Sequence, residues 1–313
     1  MNSRVLVTGG AGFIGSHVVD RLVDEGCCVG VVDNLSTGNF ANISAHVNRG
    51  SVDFVKADVQ DRETIGKLVH DVDAVVHLAA IVSVPFSVEN PRLTYEVNVE
   101  GTRGLLEACV RSGVKKFIFV SSCSVYGAPR YLPVDEAHPT CPISPYAASK
   151  LEGEGCCQAL FGRSGLDVVV LRLFNVYGPR QTSGEYSGVI TKFMERAEKG
   201  QPLVIYGDGS QTRDFVHVTD VANAVLTLMK DDCAGEIFNV GYGKAVSISD
   251  LAKTVLSLSG RDCGLIHEPS REGDIPHSVA DPSKARKAFA YAPKVALEEG
   301  LQGLLLDRRG TAR

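Results

Sequence analysis

The 313-residue chain contains no tryptophan and only three methionines. No apolar stretch approaches the ~20 residues that a bilayer crossing needs, so a membrane span is not expected. Charge of either sign is not in excess: 32 Lys and Arg stand against 37 Asp and Glu, a net charge of -5. With no basic field to hold a polyanion, nucleic acid is not an expected partner, and Arg308-Arg309 reads as a solvated tail. The N-terminus lacks a charged leader, a long apolar core and a cleavage site. Glycine motifs begin almost at once, so folded structure is expected from residue 4 onward. Nine cysteines are present, an odd number, and no Cys-x-x-Cys occurs. The adjacent pairs Cys27-Cys28 and Cys156-Cys157 suit neither zinc nor an ordinary disulfide. They read as reduced thiols of a cytoplasmic protein, with no metal site. A hydrophobic content of 44% is enough for a sizeable core in one or two domains.

What is present is an alternation. Arg4 to Thr8, Val29 to Asp33, Phe54 to Asp58, Ala74 to Leu78, Lys116 to Ser121 and Val168 to Phe174 are short apolar runs of the kind parallel sheets use. Helical patterns fall between them, at Ser16 to Glu25, Asp61 to Val69 and Val97 to Ser112. The expected fold is α/β, a doubly wound parallel sheet of Rossmann type with a smaller C-terminal substrate-binding lobe. No repeat or low-complexity segment interrupts it. After Asn175 the pattern breaks into loops, an amphipathic stretch from Val189 to Gly200 and several short runs. The expected division is residues 1–175 for dinucleotide binding, rejoined by about 215–243, with 176–313 mainly forming the second lobe. Glu236 to Val240 reads as a strand returning to the main sheet.

Thr8-Gly9-Gly10-Ala11-Gly12-Phe13-Ile14-Gly15 sets glycines at three-residue spacing between a strand and a helix. Backbone without Cβ, here at Gly9, Gly12 and Gly15, lets phosphates approach, and the first N–H groups of the helix bind a pyrophosphate. Asp33 ends the second run, where a carboxylate hydrogen-bonds the adenosine ribose. Such a carboxylate repels a 2′-phosphate, so the expected cofactor is NAD. Tyr146-Ala-Ala-Ser-Lys150 then places a phenol and an ammonium on one helix face. A phenol ordinarily ionises near pH ~10, and a neighbouring ammonium draws that value down toward the working range. Ser122 supplies a hydroxyl to share the moving proton.

These residues, with Leu78-Ala79-Ala80 and Asn98, resemble the extended short-chain dehydrogenases/reductases over essentially the whole chain. The likeness is greatest to nucleotide-sugar epimerases of the UDP-glucose 4-epimerase type. Three stretches carry that narrower match: Arg172-Leu173-Phe174-Asn175, Thr212-Arg213-Asp214-Phe215-Val216-His217 and Arg271-Glu272-Gly273-Asp274. The resemblance implies that Tyr146, Lys150 and Ser122 are catalytic. It adds Phe13, Ile14, Asn34, Asp58, Val59, Leu78, Ala79, Ala80, Asn98 and Phe174 to the NAD contacts, with Asp58 and Val59 by the adenine. On the substrate side it implies Asn175, Arg213 and Arg271 at the diphosphate of a UDP-sugar and Asp274 at the uridine ribose. Tyr206 and Phe215 would lie around the uracil, and Ser122, Ser124, Tyr146, Val189 and Ser278 also belong to that side. Two forked guanidinium groups suit a diphosphate carrying about two negative charges.

The implied reaction is inversion at C4 of a UDP-hexose through a transient 4-keto sugar. Related dehydratases place Asp-Glu after the catalytic Ser or Thr, and related decarboxylases place Ser-Glu. Here Cys123-Ser124 follows Ser122, which favours simple epimerisation. Cys123 has no histidine at triad spacing and reads as packing. Ser278 lies four residues after Asp274, where a bulky Tyr in the family excludes an N-acetyl group. The small Ser278 leaves room, so N-acetylated UDP-hexoses join UDP-glucose and UDP-galactose as expected substrates. UDP-glucuronate stays open, with Arg180 or Lys192 to meet its carboxylate. A different class, a non-catalytic NAD-binding regulator on the same fold, would have little reason to keep Ser122, Tyr146 and Lys150 together. Family members are commonly homodimers, and the stretches 97–112 and 147–163 are the candidate interface.

Overall fold

The computed structural model describes residues 3–162, 164–182, 188–261, 263–270 and 273–311. In chain order its strands are β1 (Arg4–Thr8), β2 (Cys28–Asp33), β3 (Val52–Lys56), β4 (Ala74–His77), β5 (Lys116–Ser122), β6 (Asp167–Leu173) and β7 (Asn175–Tyr177), then β8 (Leu203–Tyr206), β9 (Thr212–His217), β10 (Ile237–Val240), β11 (Ala245–Ser247) and β12 (Leu265–Glu268). Seven of them form one sheet in the order β10-β6-β5-β4-β1-β2-β3, parallel throughout. The chain winds outward from β1 through β2 to β3, then returns to the other side of β1 as β4. That reversal opens a crevice at the carboxyl ends of β1 and β4, where doubly wound sheets bind ligands. β10 lies beside β6, so the run at Glu236 to Val240 does return to the main sheet.

Alternate side chains serve the two faces, as the period of a strand requires. Val5, Val7, Val29, Val31 and Val76 enter one buried core; Leu6, Val32, Val75, Phe117 and Phe119 enter the other. The helices Phe13–Asp24 and Val218–Leu228 pack together beside the first core. Gly101–Ser112 and Pro145–Leu160 contribute to the second. A smaller lobe has its own core, including Tyr177, Phe193, Met194, Phe215 and Leu251. β11, β9 and β7 form a three-stranded sheet and β12 pairs with β8. Among the described residues no helix is long and apolar enough to cross a membrane.

Three boundaries differ from the sequence expectation. The third strand runs Val52–Lys56, two residues earlier than expected at each end. Asp58 has left the sheet, its carboxylate accepting from Gln60 N at 2.9 Å and Asn34 Nδ2 at 2.8 Å. The first helix starts at Phe13 rather than Ser16, because Gly12 caps it in an extended conformation. The stretch expected as one helix from Val97 opens instead as a π turn, Glu96–Glu100, before continuing as the α-helix Gly101–Ser112.

The helix Pro145–Leu160 determines where the chemistry sits. Ser144 caps it, accepting from Ala147 N at 3.1 Å, and Pro145 begins it. It lies low on the sheet: a Cβ placed on Gly153 would lie 2.6 Å from Phe119 Cζ. Phe119 is itself buried in the second core. Replacing Gly153 by Ala should therefore destabilise by about 1–3 kcal/mol, although Ala is the better helix former by about 1 kcal/mol. Urea unfolding measures this, and an unchanged midpoint would mean the helix can lift freely.

Candidate active site

The loop after β1 is shaped for close approach. Gly9 has φ 70°, and a Cβ there would lie 2.8 Å from Ala79 N. A Cβ on Gly15 would overlap the Gly9 carbonyl oxygen. Gly12 starts the helix Phe13–Asp24 with no side-chain cap, which leaves its positive end open toward the crevice. At the end of β2, Asp33 accepts from Ala11 N at 3.0 Å and Leu35 N at 2.8 Å. A carboxylate offers about four acceptor positions, so two remain for ribose hydroxyls. Across the crevice, Leu78 N and Ala79 N each donate to Thr8 Oγ1 at 3.2 Å. This cradle fits a dinucleotide: phosphates over Gly9 to Gly15, ribose at Asp33, the far half along Leu78, Ala79 and Ala80.

Other expected cofactor residues divide by what is left to them. Phe13, Ile14 and Asn34 stand at the loop and the β2 end. Asp58 is engaged with Asn34 and Gln60, and the Val59 side chain is buried in the second core, so Val59 reaches an adenine only through its backbone. Phe174 is buried, its N–H donating to Val240 O at 2.9 Å. The Asn98 amide is occupied: Oδ1 accepts from Ile81 N at 2.7 Å, and Nδ2 donates to Ile81 O and Ser149 Oγ, each at 2.9 Å. Asn98 thus braces the loop after β4 against the helix carrying Tyr146.

Tyr146 lies beside Ser122, and Lys150 follows one turn along the same helix. Ser122 ends β5, and its Oγ accepts from Ser124 N at 3.2 Å. The Tyr146 phenol lies beside the Ser122 hydroxyl, close enough for it to favour the phenolate. The proton affinity departs from expectation: burial pushes the phenol up to about 12, with the Ser122 hydroxyl opposing it. The Lys150 ammonium donates to Val120 O at 2.9 Å and lies 5.1 Å from the Phe119 ring centre. Burial lowers Lys150 to about 8, opposed by the Glu154 carboxylate one turn along. Lys150 thus bears on β5 rather than drawing the phenol down. Burial also pushes the Cys123 thiol up to about 12, so it is a neutral wall and no nucleophile.

On the substrate side, the Ser124 hydroxyl oxygen is buried without a hydrogen-bond partner. Asn175 Nδ2 donates to Asp214 O at 3.1 Å. Arg213 forms an ion pair with Asp274 and donates to its own neighbour Thr212 O at 2.8 Å. Ser278 N donates to Thr212 O at 3.1 Å, so Arg213, Asp274 and Ser278 meet around β9. Val189 opens the helix Val189–Glu198 and packs on the lobe core; Tyr206 ends β8. Phe215 packs in the core of that lobe. Arg180, an expected uronate partner, is paired with Asp20 at 2.8 Å. Arg271 lies outside the described residues.

Beneath the trio lies a buried network that sequence reasoning missed. Glu154 accepts from Arg172 Nη2 at 2.6 Å, Arg172 Nε at 3.0 Å and Ser121 Oγ at 2.5 Å. Arg172 Nη1 donates to the Tyr126 hydroxyl at 3.0 Å, which donates to Asn239 Oδ1 at 2.7 Å. The only advance signal was spacing: Tyr146, Lys150 and Glu154 recur every fourth residue.

The doubly wound sheet, glycine cradle and Tyr-Ser-Lys grouping define a dinucleotide-dependent enzyme acting on a hydroxyl-bearing carbon. The family model for the NAD dependent epimerase/dehydratase family matches residues 5–241, and the chain belongs to that family. A putative UDP-glucose 4-epimerase of Methanocaldococcus jannaschii is 41% identical over 300 residues, covering 95% of this chain and 96% of the relative. A UDP-N-acetyl-alpha-D-glucosaminuronate decarboxylase of Bacillus cytotoxicus is 35% identical over 313 residues, with 96% of each covered. Among solved structures, the UDP-N-acetylglucosamine 4-epimerase of Methanobrevibacter ruminantium M1, in complex with UDP-N-acetylmuramic acid, superposes with a TM-score of 0.95 at 37% identity, covering 99% of both chains. The UDP-glucose 4-epimerase of Thermotoga maritima with UDP-glucose gives 0.94 at 39%, covering 99% and 100%. That of Thermus thermophilus in complex with NAD gives 0.88 at 40%, covering 98% and 99%. NAD is the cofactor, and the cradle described above fits it.

The buried Lys150 works against stability. Below about pH 8 both folded and unfolded chains carry the ammonium, and the folded state bears the full desolvation penalty. Between about 8 and its ordinary 10.5 the folded state releases the proton first, so the penalty fades as pH rises. Lys150→Met should therefore stabilise by about 2–3 kcal/mol at pH 7, less by pH 10, while losing activity. Denaturant unfolding at both pH values checks the sign, and destabilisation at pH 7 would show that the bond to Val120 outweighs the penalty.

Proposed function

We propose that this protein is a UDP-hexose 4-epimerase. The observation that carries the reading is the Tyr146 phenol set beside Ser122 and the neutral Cys123 thiol, with no carboxylate in the two residues after Ser122. The C4 hydroxyl gives its proton to Tyr146 as C4 becomes a ketone. Ser122 steadies the phenolate, and Tyr146 returns the proton in the second half. Bound NAD supplies the two-electron acceptor and donor that such an inversion needs. With the phenol pushed up to about 12 by burial, the proton-accepting step needs a positive charge nearby, which the nicotinamide ring of bound NAD would supply. Lys150, one turn along, braces the helix on β5 and is placed to meet the nicotinamide ribose.

Inversion requires the sugar to turn over while its nucleotide stays held. Arg213 and Asp274 support a grip at the diphosphate and ribose, and the unpartnered Ser124 hydroxyl offers a contact at the sugar. A dehydratase or decarboxylase needs a carboxylate for its second step. The thiol of Cys123, pushed up to about 12, cannot act as one near neutral pH. Ser278 supports acceptance of a C2 N-acetyl group beside UDP-glucose and UDP-galactose.

Incubation with a panel of UDP-sugars, without added cofactor, should give C4 epimers by NMR. A product lacking water or carbon dioxide would replace this reading with a dehydratase or decarboxylase. Tyr146→Phe should lower turnover about 10²–10⁴-fold while NAD stays bound. Ser278→Tyr should remove turnover of the N-acetylated sugars and spare that of UDP-glucose. Equal loss on both would show that Ser278 does not shape the C2 pocket.

A further inference from the structure

His77, the last residue of β4, is 1% exposed and lies between the two halves of the site. Its Nε2 is 2.9 Å from Thr102 Oγ1, and its Nδ1 is 2.6 Å from Thr8 Oγ1. Donor accounting fixes the protons. Thr102 Oγ1 donates its one proton to Asn98 O at 2.6 Å, so toward His77 it can only accept. The imidazole therefore carries its proton on Nε2. Its bare Nδ1 accepts from Thr8 Oγ1, whose lone pairs then receive Ala79 N at 3.2 Å and Leu78 N at 3.2 Å, the latter shared with Thr8 O at 3.1 Å. With Nδ1 protonated, Thr8 would face three donors, its own proton would need another acceptor, and Nε2 would face an oxygen with no proton to give.

The chain of bonds continues. Asn98, whose carbonyl ends the Thr102 link, joins Ser149 through its amide at 2.9 Å, and Ser149 Oγ donates to Tyr146 O at 2.8 Å. One end is therefore the residue before Gly9, and the other is the first turn of the helix bearing the phenol. The charge setting agrees: burial, with the Lys150 ammonium nearby, holds His77 down to about 3, so no second proton competes.

We propose that His77, as the Nε2–H tautomer, is a positioning residue that fixes the NAD cradle against the Tyr146 helix through Thr8, Thr102 and Asn98. The inference rests on the NAD-binding reading of the glycine loop and deepens it; it does not depend on which sugar is the substrate.

Two measurements test it on the NAD-bound protein. Long-range ¹H–¹⁵N spectra of labelled imidazoles should show His77 protonated at Nε2 only, unchanged from pH 6 to pH 8. An Nδ1–H tautomer or an imidazolium overturns the proposal. His77→Phe keeps a ring beside Phe117 and Phe119 but removes both bonds. It should speed NAD release about tenfold, the scale of one buried hydrogen bond, and lower kcat, with KM for the sugar nucleotide moved less than about twofold. Thr8→Val and Thr102→Val should each do the same, and combining either with His77→Phe should add little, because the groups act as one chain. NAD release within about twofold of the wild type in folded His77→Phe, or additive effects, would refute the positioning role. Where His77→Phe does not fold by circular dichroism, Thr102→Val, a near-isosteric change, carries the same two outcomes. Both the tautomer and NAD release are read without turnover, so their failure is separable from failure of the epimerase reading.

Discussion

The buried ion pair of Glu154 and Arg172 is the constraint on which the catalytic geometry depends. Taking two charges out of water costs several kcal/mol each, and attraction offsets this only when every remaining donor and acceptor is met. Here they are met in sequence: Ser121 and Arg172 satisfy the carboxylate, Tyr126 takes the spare guanidinium N–H, and Asn239 takes the tyrosine proton. Those residues come from β5, β6, β10, the turn Cys123–Tyr126 and the helix Pro145–Leu160. The pair ties the helix to two strands at one depth, and the missing side chain of Gly153 lets it sit there. Lys150 and Tyr146 follow one and two turns along, so their heights above Val120 and Ser122 are set from below.

The other half of the site has a different origin. The cradle arises where the winding of the sheet reverses between β1 and β4, a property of topology rather than of any one contact. The helix on β5 must be held in register with it, and the π turn Glu96–Glu100 provides the link. Its extra residue per turn departs from the α-helical repeat that follows. Asn98 within that turn is buried, with its carbonyl toward Thr102 and its amide toward Ile81 and Ser149. Local irregularity in an otherwise regular helix is common at functional sites because it aims groups that a regular helix would not.

What could be read from the sequence was what local rules govern. The glycine loop was legible because φ and steric clearance demand glycine there, and the apolar strands because both faces of the sheet are covered. Tyr146, Lys150 and Ser122 were legible through spacing and the motifs around them. The end of β3 was misplaced because apolar Ala57 hid the point at which Asp58 turns to cap Gln60. That Phe215 packs in the core of the smaller lobe was not legible, since a strand's pattern does not say which of two lobes it covers. The Glu154–Arg172–Tyr126–Asn239 network joins residues scattered over more than one hundred positions, and nothing local encodes it. The pull of Lys150 on Tyr146 failed for a related reason. Spacing put the two on one face, but burial and the Val120 carbonyl decided the electrostatics.

The substrate side shows why a weak contact can be useful. The Arg213–Asp274 pair has side-chain exposures of 16% and 36%, and ion pairs this close to solvent contribute little to stability. It keeps a guanidinium and a carboxylate oriented at a rim without a strong bond that a ligand would have to break. On the proposed reading, a diphosphate would offer Arg213 charged oxygens in place of the carboxylate it leaves, and a ribose hydroxyl would take the released Asp274. Next to Ser122, the Cys123 thiol is pushed up to about 12 by burial and stays neutral. A carboxylate at that depth would repel the phenolate that Tyr146 must become and compete for Arg213. The uncharged thiol does neither, which on the proposed epimerase reading leaves the proton transfer to Tyr146 beside Ser122.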